Sequence, residues 1–216
     1  FLKSHLAFDA LPYDPTVRYV YVGRATRDVF ISAFNHYSAY TELTYSLLDA
    51  AGGAAGPMPR CPATERELWA DWMTRSLFDW ETDGWPFWSH HHHAASFWPY
   101  RDLPNVLMVH FTDLKRDMPA QMRRIARFLD IEVDAADWPA IEEYCSFGWM
   151  KANAVRSTPL GGAFWDGGAD TFIHKGVNGR WTEVLSAAES ADYERRAEQE
   201  LGAACARWLR EGGDND

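Results

Sequence analysis

Apolar and polar positions along this chain follow two alternating rhythms. Residues 18–23, RYVYVG, form a short β-branched and aromatic run stopped by glycine, which predicts a buried strand. Just beyond it, Thr26 or Asp28 is placed to cap a helix whose apolar face is Val29, Phe30, Ala33 and Phe34. Residues 50–63 are rich in Gly and Pro and predict a loop. Thr64 and Glu67 then have the spacing of a capping box, opening a helix that carries Leu68, Trp72, Leu77 and Phe78. A further helix is expected over 87–102, and the run Asn105 to Val109 predicts a second buried strand. From Thr112 to Leu129, apolar residues recur at helical spacing: Leu114, Met118, Met122, Ile125, Ala126 and Leu129. A shorter helix is expected over 134–144, a mobile loop over 155–171, and a last helix over about 190–209, followed by a frayed tail from Glu211. Strands alternating with helices predict an α/β fold with a mainly parallel sheet.

Composition narrows the class. The chain has 216 residues, enough for one domain with a sizeable core. Its net charge of −10 argues against a general nucleic-acid-binding surface, while a local basic pocket stays open. The three cysteines, Cys61, Cys145 and Cys205, are odd in number and widely spaced, so neither a disulfide framework nor a zinc pattern is expected, and a reducing, cytoplasmic compartment is. No apolar run reaches membrane-spanning length. Eleven tryptophans and an aromatic share of 15% fit a core and a pocket with flat walls.

Four stretches carry more specific information. Lys3-Ser4-His5-Leu6 is followed by Leu11-Pro12. Tyr21-Val22-Gly23-Arg24 leads into Asp28-Val29 and Ser32. Pro104-Asn105-Val106-Leu107 precedes Asp113-Leu114-Lys115 and then Ile125-Ala126-Arg127-Phe128-Leu129. Ser146-Phe147, Met150-Lys151 and Asn153 precede Lys175-Gly176, Gly179 and Trp181. In this order and spacing they resemble the soluble sulfotransferase family, which uses 3′-phosphoadenosine 5′-phosphosulfate (PAPS). Each motif is weak alone; the ordered set spans essentially the whole chain.

The resemblance implies a P-loop NTPase-like parallel sheet flanked by helices. It implies His5 as the base that takes the acceptor's proton, a role suited to a side chain that titrates near neutrality. Lys3, on the same side of an extended strand, would assist the transferred group. Arg24 and Ser32 would hold the 3′-phosphate, a sound pairing of a guanidinium fork with a hydroxyl. Lys175 and Gly176 would add a cation and an open backbone N–H, with His174 beside them. Phe147 and Met150 would sandwich the adenine, near Phe111 and Cys145, the latter expected as a buried small hydrophobe. His93, Trp85 and Phe87 would border the pocket for a small, rather apolar acceptor.

This chain also departs from the family's pattern. The family's Y-P-K-S-G-[TS]-x-W loop, which cradles the 5′-phosphosulfate, has no counterpart among these residues, and neither does the strand before it. The expected single domain, 1–216, is therefore incomplete at its N-terminus. His174 stands where the family has Arg, Phe111 where it often has Tyr, and Arg180 where it has an acidic residue. The family's C-terminal dimer signature is not matched, so no oligomeric state is implied. The run His90 to His93 places His90 and His93 on one helical face without a third ligand type nearby, so no metal centre is expected. Two rival readings remain: a nucleotide kinase, which would need a Gly-rich Walker loop that these residues lack and for which Asp113 would be the metal-holding acid, and a sulfotransferase-like binding domain without activity.

Overall fold

The computed structural model describes residues 1–51 and 56–213. Strand β1 (Tyr19–Gly23) pairs in parallel with β2 (Val106–His110), with Tyr19 opposite Val106 and Gly23 opposite His110. All of β2 is buried, as an uninterrupted apolar run predicts. β1 corrects its expectation: Val20 and Val22 face outward, and Val22 is 59% exposed. Among the described residues the sheet has these two strands, and the remaining elements are helical.

The helices sort into two packing groups. Helix α1 (Thr26–Ser38) follows β1 and buries Phe30, Ile31, Phe34 and Tyr37. Helix α2 (Glu42–Ala51), which the sequence pattern did not reveal, lies beside it. Helix α3 (Glu65–Trp72) opens with the expected capping box at Thr64 and Glu67. It stops at Trp72, short of Leu77 and Phe78, because residues 73–89 turn back: the Gly84 N–H donates to the Trp72 carbonyl at 2.7 Å and the Leu77 N–H to that of Phe87. Leu68, Trp69 and Trp72 join Phe30 and Tyr37 in the larger core. The helix expected over 87–102 begins later, at α4 (His90–Phe97), where the Ser89 hydroxyl accepts the His92 N–H. Its end tightens into a 3-10 turn over Trp98–Tyr100 containing Pro99.

Two of the expected long helices are each divided by one residue. Residues 112–129 form α5 (Phe111–Arg116) and α6 (Met118–Phe128). Asp117 adopts φ −148° and caps the second by accepting the Ala120 N–H, and Pro119 cannot donate backward. Helix α7 (Trp138–Cys145) starts at Pro139's turn rather than at Asp134. The segment 155–171 is not a plain loop. Helix α8 (Phe147–Ala152) precedes it; α9 (Ala154–Ser157), a 3-10 turn over Pro159–Gly162 and α10 (Ala169–Phe172) build it, and Trp165 pins it by packing on His36 and Phe172. Finally, α11 (Ala187–Leu201) and α12 (Ala203–Glu211) replace the single C-terminal helix. Gly202 separates them at φ +75°, a conformation that favours glycine.

The α11–α12 pair links the cores. Tyr193 and Ala197 enter the larger cluster, whereas Trp208 and Leu209 pack with Tyr21, Phe97, Met108 and Phe8 in the smaller. Residues 1–7 do not form the expected strand; the segment is anchored where Phe8 is buried against Phe97 and Tyr100. Residues 52–55 of the Gly/Pro-rich stretch and 214–216 of the tail lie outside the described residues; Glu211 still belongs to α12. No helix of the described residues is long and apolar enough to cross a membrane.

Candidate functional site

The two strands end side by side, because Gly23 is opposite His110 in the register. The next residues, Arg24 and Phe111, therefore emerge together, at the end of a parallel sheet where ligands usually bind. The Arg24 guanidinium stacks over the Phe111 ring at 4.3 Å from its centroid. Its Nε donates to Asn178 Oδ1 at 3.2 Å and a terminal amine donates to the Val177 carbonyl at 3.3 Å. The Gly179 N–H donates to Asp28 at 2.7 Å. These bonds tie the 175–179 loop to the start of α1. Arg24 forms no salt bridge to Asp28 among the described ion pairs; Asp28 instead accepts the Gly179 N–H.

A cavity of about 630 Å³ opens at this point. Arg24, Ser32, Phe111, Cys145, Phe147, Met150, His174, Lys175 and Gly176 all line it. Those are the nine residues that the sequence assigned to the nucleotide. Ser32 lies two turns along α1 from Arg24, yet both face the same space. Cys145 is exposed rather than buried, because α7 ends there at the rim. Sequence reasoning missed further wall residues, among them Asp28, Asn35, Lys115 and Arg180. Lys115 was legible as the last residue of the Asp-Leu-Lys motif, and its ammonium lies 5.9 Å from the Phe147 centroid.

The electrostatics of this cavity differ from those of the chain as a whole. Arg24, Lys115, Lys175 and Arg180 line it, and Asp28 is the one acidic residue that does. Burial works against the charge on Arg24, with Asp28 offsetting part of the effect. His174 is pushed below the ordinary histidine value by desolvation and then by Arg180, Lys175 and Lys151. An anion entering the cavity relieves each of these penalties.

A second cavity, of about 470 Å³, is lined by His5, Leu6, Asp9, Leu77, Phe78, Trp80, Glu81, Trp88, Ser89 and His92. His5 is exposed, its ring centroid 6.2 Å from that of Trp88. Lys3 is exposed and lines neither cavity. The aromatic wall consists of Phe78, Trp80 and Trp88 rather than Trp85 and Phe87. Trp85 lies under the Arg75 guanidinium at 4.0 Å, and Phe87 packs on Tyr37 of the larger core. His93 packs on Tyr21 and Phe97 and bonds the backbone at Leu6, so it holds the segment that carries His5. The remaining histidines of the run are separately engaged. His90 Nδ1 meets Thr26 Oγ1 at 2.8 Å, and burial, ahead of its histidine neighbours, lowers its pKa to about 3. His92 pairs with Asp9 at 3.1 Å. His91 shares a compact cluster with Asp83 and Glu200, hydrogen-bonding Glu200 at 2.6 Å and Tyr193 at 3.4 Å. Asp113, the kinase reading's candidate acid, is occupied by Arg116 and by the Gly213 N–H.

A sulfotransferase domain model matches residues 1–204. The chain belongs to the sulfotransferase family. Among relatives, it is 23% identical to sulfotransferase 1B1 of Canis lupus familiaris over 89% of this chain and 58% of that protein. It is 26% identical to a glycolipid sulfotransferase of Mycobacterium bovis over 98% of this chain and 69% of that protein. Against the first of these the chain thus spans less than two thirds of the relative's length. The sulfotransferase fold is also seen by superposition. Mouse sulfotransferase SULT7A1 complexed with PAP matches with a TM-score of 0.69 and 19% identity, over 95% of this chain and 67% of that one. Retinol dehydratase in complex with androsterone and the inactive cofactor PAP matches with a TM-score of 0.66 and 23% identity, over 92% and 52%.

Proposed function

We propose that this chain supplies the nucleotide cavity and the acceptor pocket of a cytoplasmic sulfotransferase that moves a sulfuryl group from PAPS to a hydroxyl or amine of a small, rather apolar acceptor. The observation that carries this reading is the first cavity, where an aromatic wall and a converging set of cations face one space. A phosphorylated adenine nucleotide fits that combination, since cations and N–H groups suit its phosphates and flat side chains its base. The donor supplies the sulfuryl group and a nucleotide leaving group.

In this reading Arg24 and Ser32 grip the 3′-phosphate, with Lys175, the Gly176 N–H and His174 closing the other side. Phe147 and Met150 flank the adenine, with Phe111 and Cys145 at its edges. His5 takes the proton from the acceptor, at the mouth of a pocket whose walls Leu77, Phe78, Trp80 and Trp88 orient an apolar body. Lys3 steadies charge on the transferred group. The domain, 1–216, is one part of a longer unit in the same reading. No nucleic acid takes part.

One observation favours a second reading, binding without transfer: among the described residues none lines both cavities. Calorimetric titration with adenosine 3′,5′-bisphosphate, against adenosine 5′-monophosphate as control, tests the first half of the proposal. A preference for the 3′-phosphorylated ligand supports it, and equal affinities refute the 3′-phosphate site. Sulfuryl transfer from PAPS to a panel of phenols and aliphatic alcohols then separates enzyme from binding domain.

A further inference from the structure

Arg180 follows Gly179 in a one-turn 3-10 helix, Arg180–Glu183. Two other inward-facing arginines are matched with carboxylates. Arg27 is buried against Glu194, and Arg210 pairs with Glu194 and Glu211. Arg180 forms no ion pair among the described residues, although the chain carries 31 acidic residues against 21 basic ones. Its Nε is buried and has no hydrogen-bond partner. One terminal amine donates at 3.4 Å to His174 Nδ1, a neutral acceptor that leaves the guanidinium charge unbalanced. A half-buried guanidinium without a carboxylate partner keeps an uncompensated charge, which an anion beside it would neutralise. Arg180 also lines the 630 Å³ cavity, together with Arg24, Lys115 and Lys175.

We infer that Arg180 is a binding residue for a phosphate group of the cavity's ligand, its guanidinium fork meeting the anion across the His174 ring. The inference rests on the nucleotide reading above and adds to it a residue that the motif pattern does not mark. It gives a guanidinium without a carboxylate partner a counter-charge, and it places a permanent charge next to a side chain, His174, whose own charge is conditional. The groups facing His174 are Arg180, Lys175 and Lys151, all cations, with Asp170 already paired to Lys151. A phosphate arriving between Arg180 and Lys175 cancels their field, so His174 takes up a proton as the ligand binds.

The test is calorimetric titration of the chain and of Arg180→Gln with adenosine 3′,5′-bisphosphate and adenosine 5′-monophosphate, in two buffers of different ionisation enthalpy. Loss of a charge-assisted hydrogen bond predicts roughly a tenfold to hundredfold weaker bisphosphate complex in the variant. Proton uptake on binding is expected to shrink as well, because without Arg180 the arriving phosphate cancels a smaller field at His174. Bisphosphate affinity and proton uptake both unchanged in a folded Arg180→Gln chain overturn the inference while leaving the nucleotide reading intact. A parent chain that does not prefer the bisphosphate overturns both. Should the glutamine variant not fold, Arg180→Lys decides: a bisphosphate-binding loss of threefold or more supports the fork contact, and an unchanged affinity overturns it.

Discussion

Replacing Gly176 with alanine separates the two halves of the nucleotide reading. Gly176 has φ +61°, a region that costs an alanine roughly 1–2 kcal/mol. A Cβ there lies 2.5 Å from Phe147 Cδ2 and 2.6 Å from Cε2. Carbon atoms in contact sit about 3.5–4.0 Å apart, so the ring must retreat by about 1 Å. Phe147 is only partly buried, so it can move, and it moves away from the wall where the base is proposed to stack. The backbone N–H of residue 176 survives the change. The expected outcome is therefore twofold. Unfolding stability falls by about 1–2 kcal/mol, the backbone cost. Affinity for the monophosphate and the bisphosphate falls together, by roughly fivefold or more, since base–aromatic stacking is worth about 1–3 kcal/mol and both ligands carry the same adenine. Urea unfolding measures the first and titration calorimetry the second. A folded Gly176→Ala chain that binds both nucleotides as before refutes the stacking role of Phe147. A loss confined to the bisphosphate shifts the position's importance from the base to the phosphate.

Other substitutions probe other parts. Arg24→Ala is expected to weaken the bisphosphate by tenfold or more and the monophosphate by less than threefold, as loss of a charge-assisted contact predicts; equal losses, read by the same titration, count against a 3′-phosphate contact. His5→Ala is expected to abolish sulfuryl transfer in the complete enzyme while nucleotide affinity stays within twofold, because His5 lines the other cavity; retained turnover removes it from the role of base. Acid sensitivity follows from His90. Its folded pKa of about 3 lies below the ordinary 6.5, so the unfolded chain binds a proton that the folded one refuses, and stability falls as pH drops from 6.5 toward 3. At pH 5 this one group is expected to account for about 2 kcal/mol. His90→Gln should flatten that slope in urea unfolding compared at pH 7 and pH 5; an unchanged slope contradicts the assignment.

The lining of the first cavity was legible in the sequence because its residues sit in short motifs next to the ends of strands. Strand ends are fixed by local signals: a β-branched run stops at Gly23, and the apolar run of β2 stops at His110. Arg24, Phe111 and the 174–176 loop therefore land near their expected places. The second cavity was not legible, because residues 73–89 lack periodicity and are shaped by long-range bonds to Trp72, Arg75 and Phe87. Which aromatic faced inward was decided by that folding back: Phe87 went to the core and Trp80 to the surface. Helix breaks were missed for a related reason. Asp117 and Gly202 interrupt stretches whose apolar spacing continues on either side, so periodicity alone reads through them. Arg180 carried no signal beyond its departure from a motif; its meaning lies in a neighbour it lacks.

The register of β1 against β2 also bears on the order in which this chain assembles. Residues 19–23 must wait for residues 106–110 before their backbone groups find partners. Closing a loop that long costs entropy before any hydrogen bond repays it, so the sheet is a late event. Local structures such as the capped α3 and the α11–α12 hairpin are free to form sooner. During synthesis the Val- and Tyr-rich strand leaves the ribosome long before its mate, and Val20 and Val22 stay uncovered even afterward. A strand whose backbone groups are still unpaired invites pairing with other chains. The yield of folded chain is thus expected to depend on how well nascent chains are kept apart while residues 24–105 are being made.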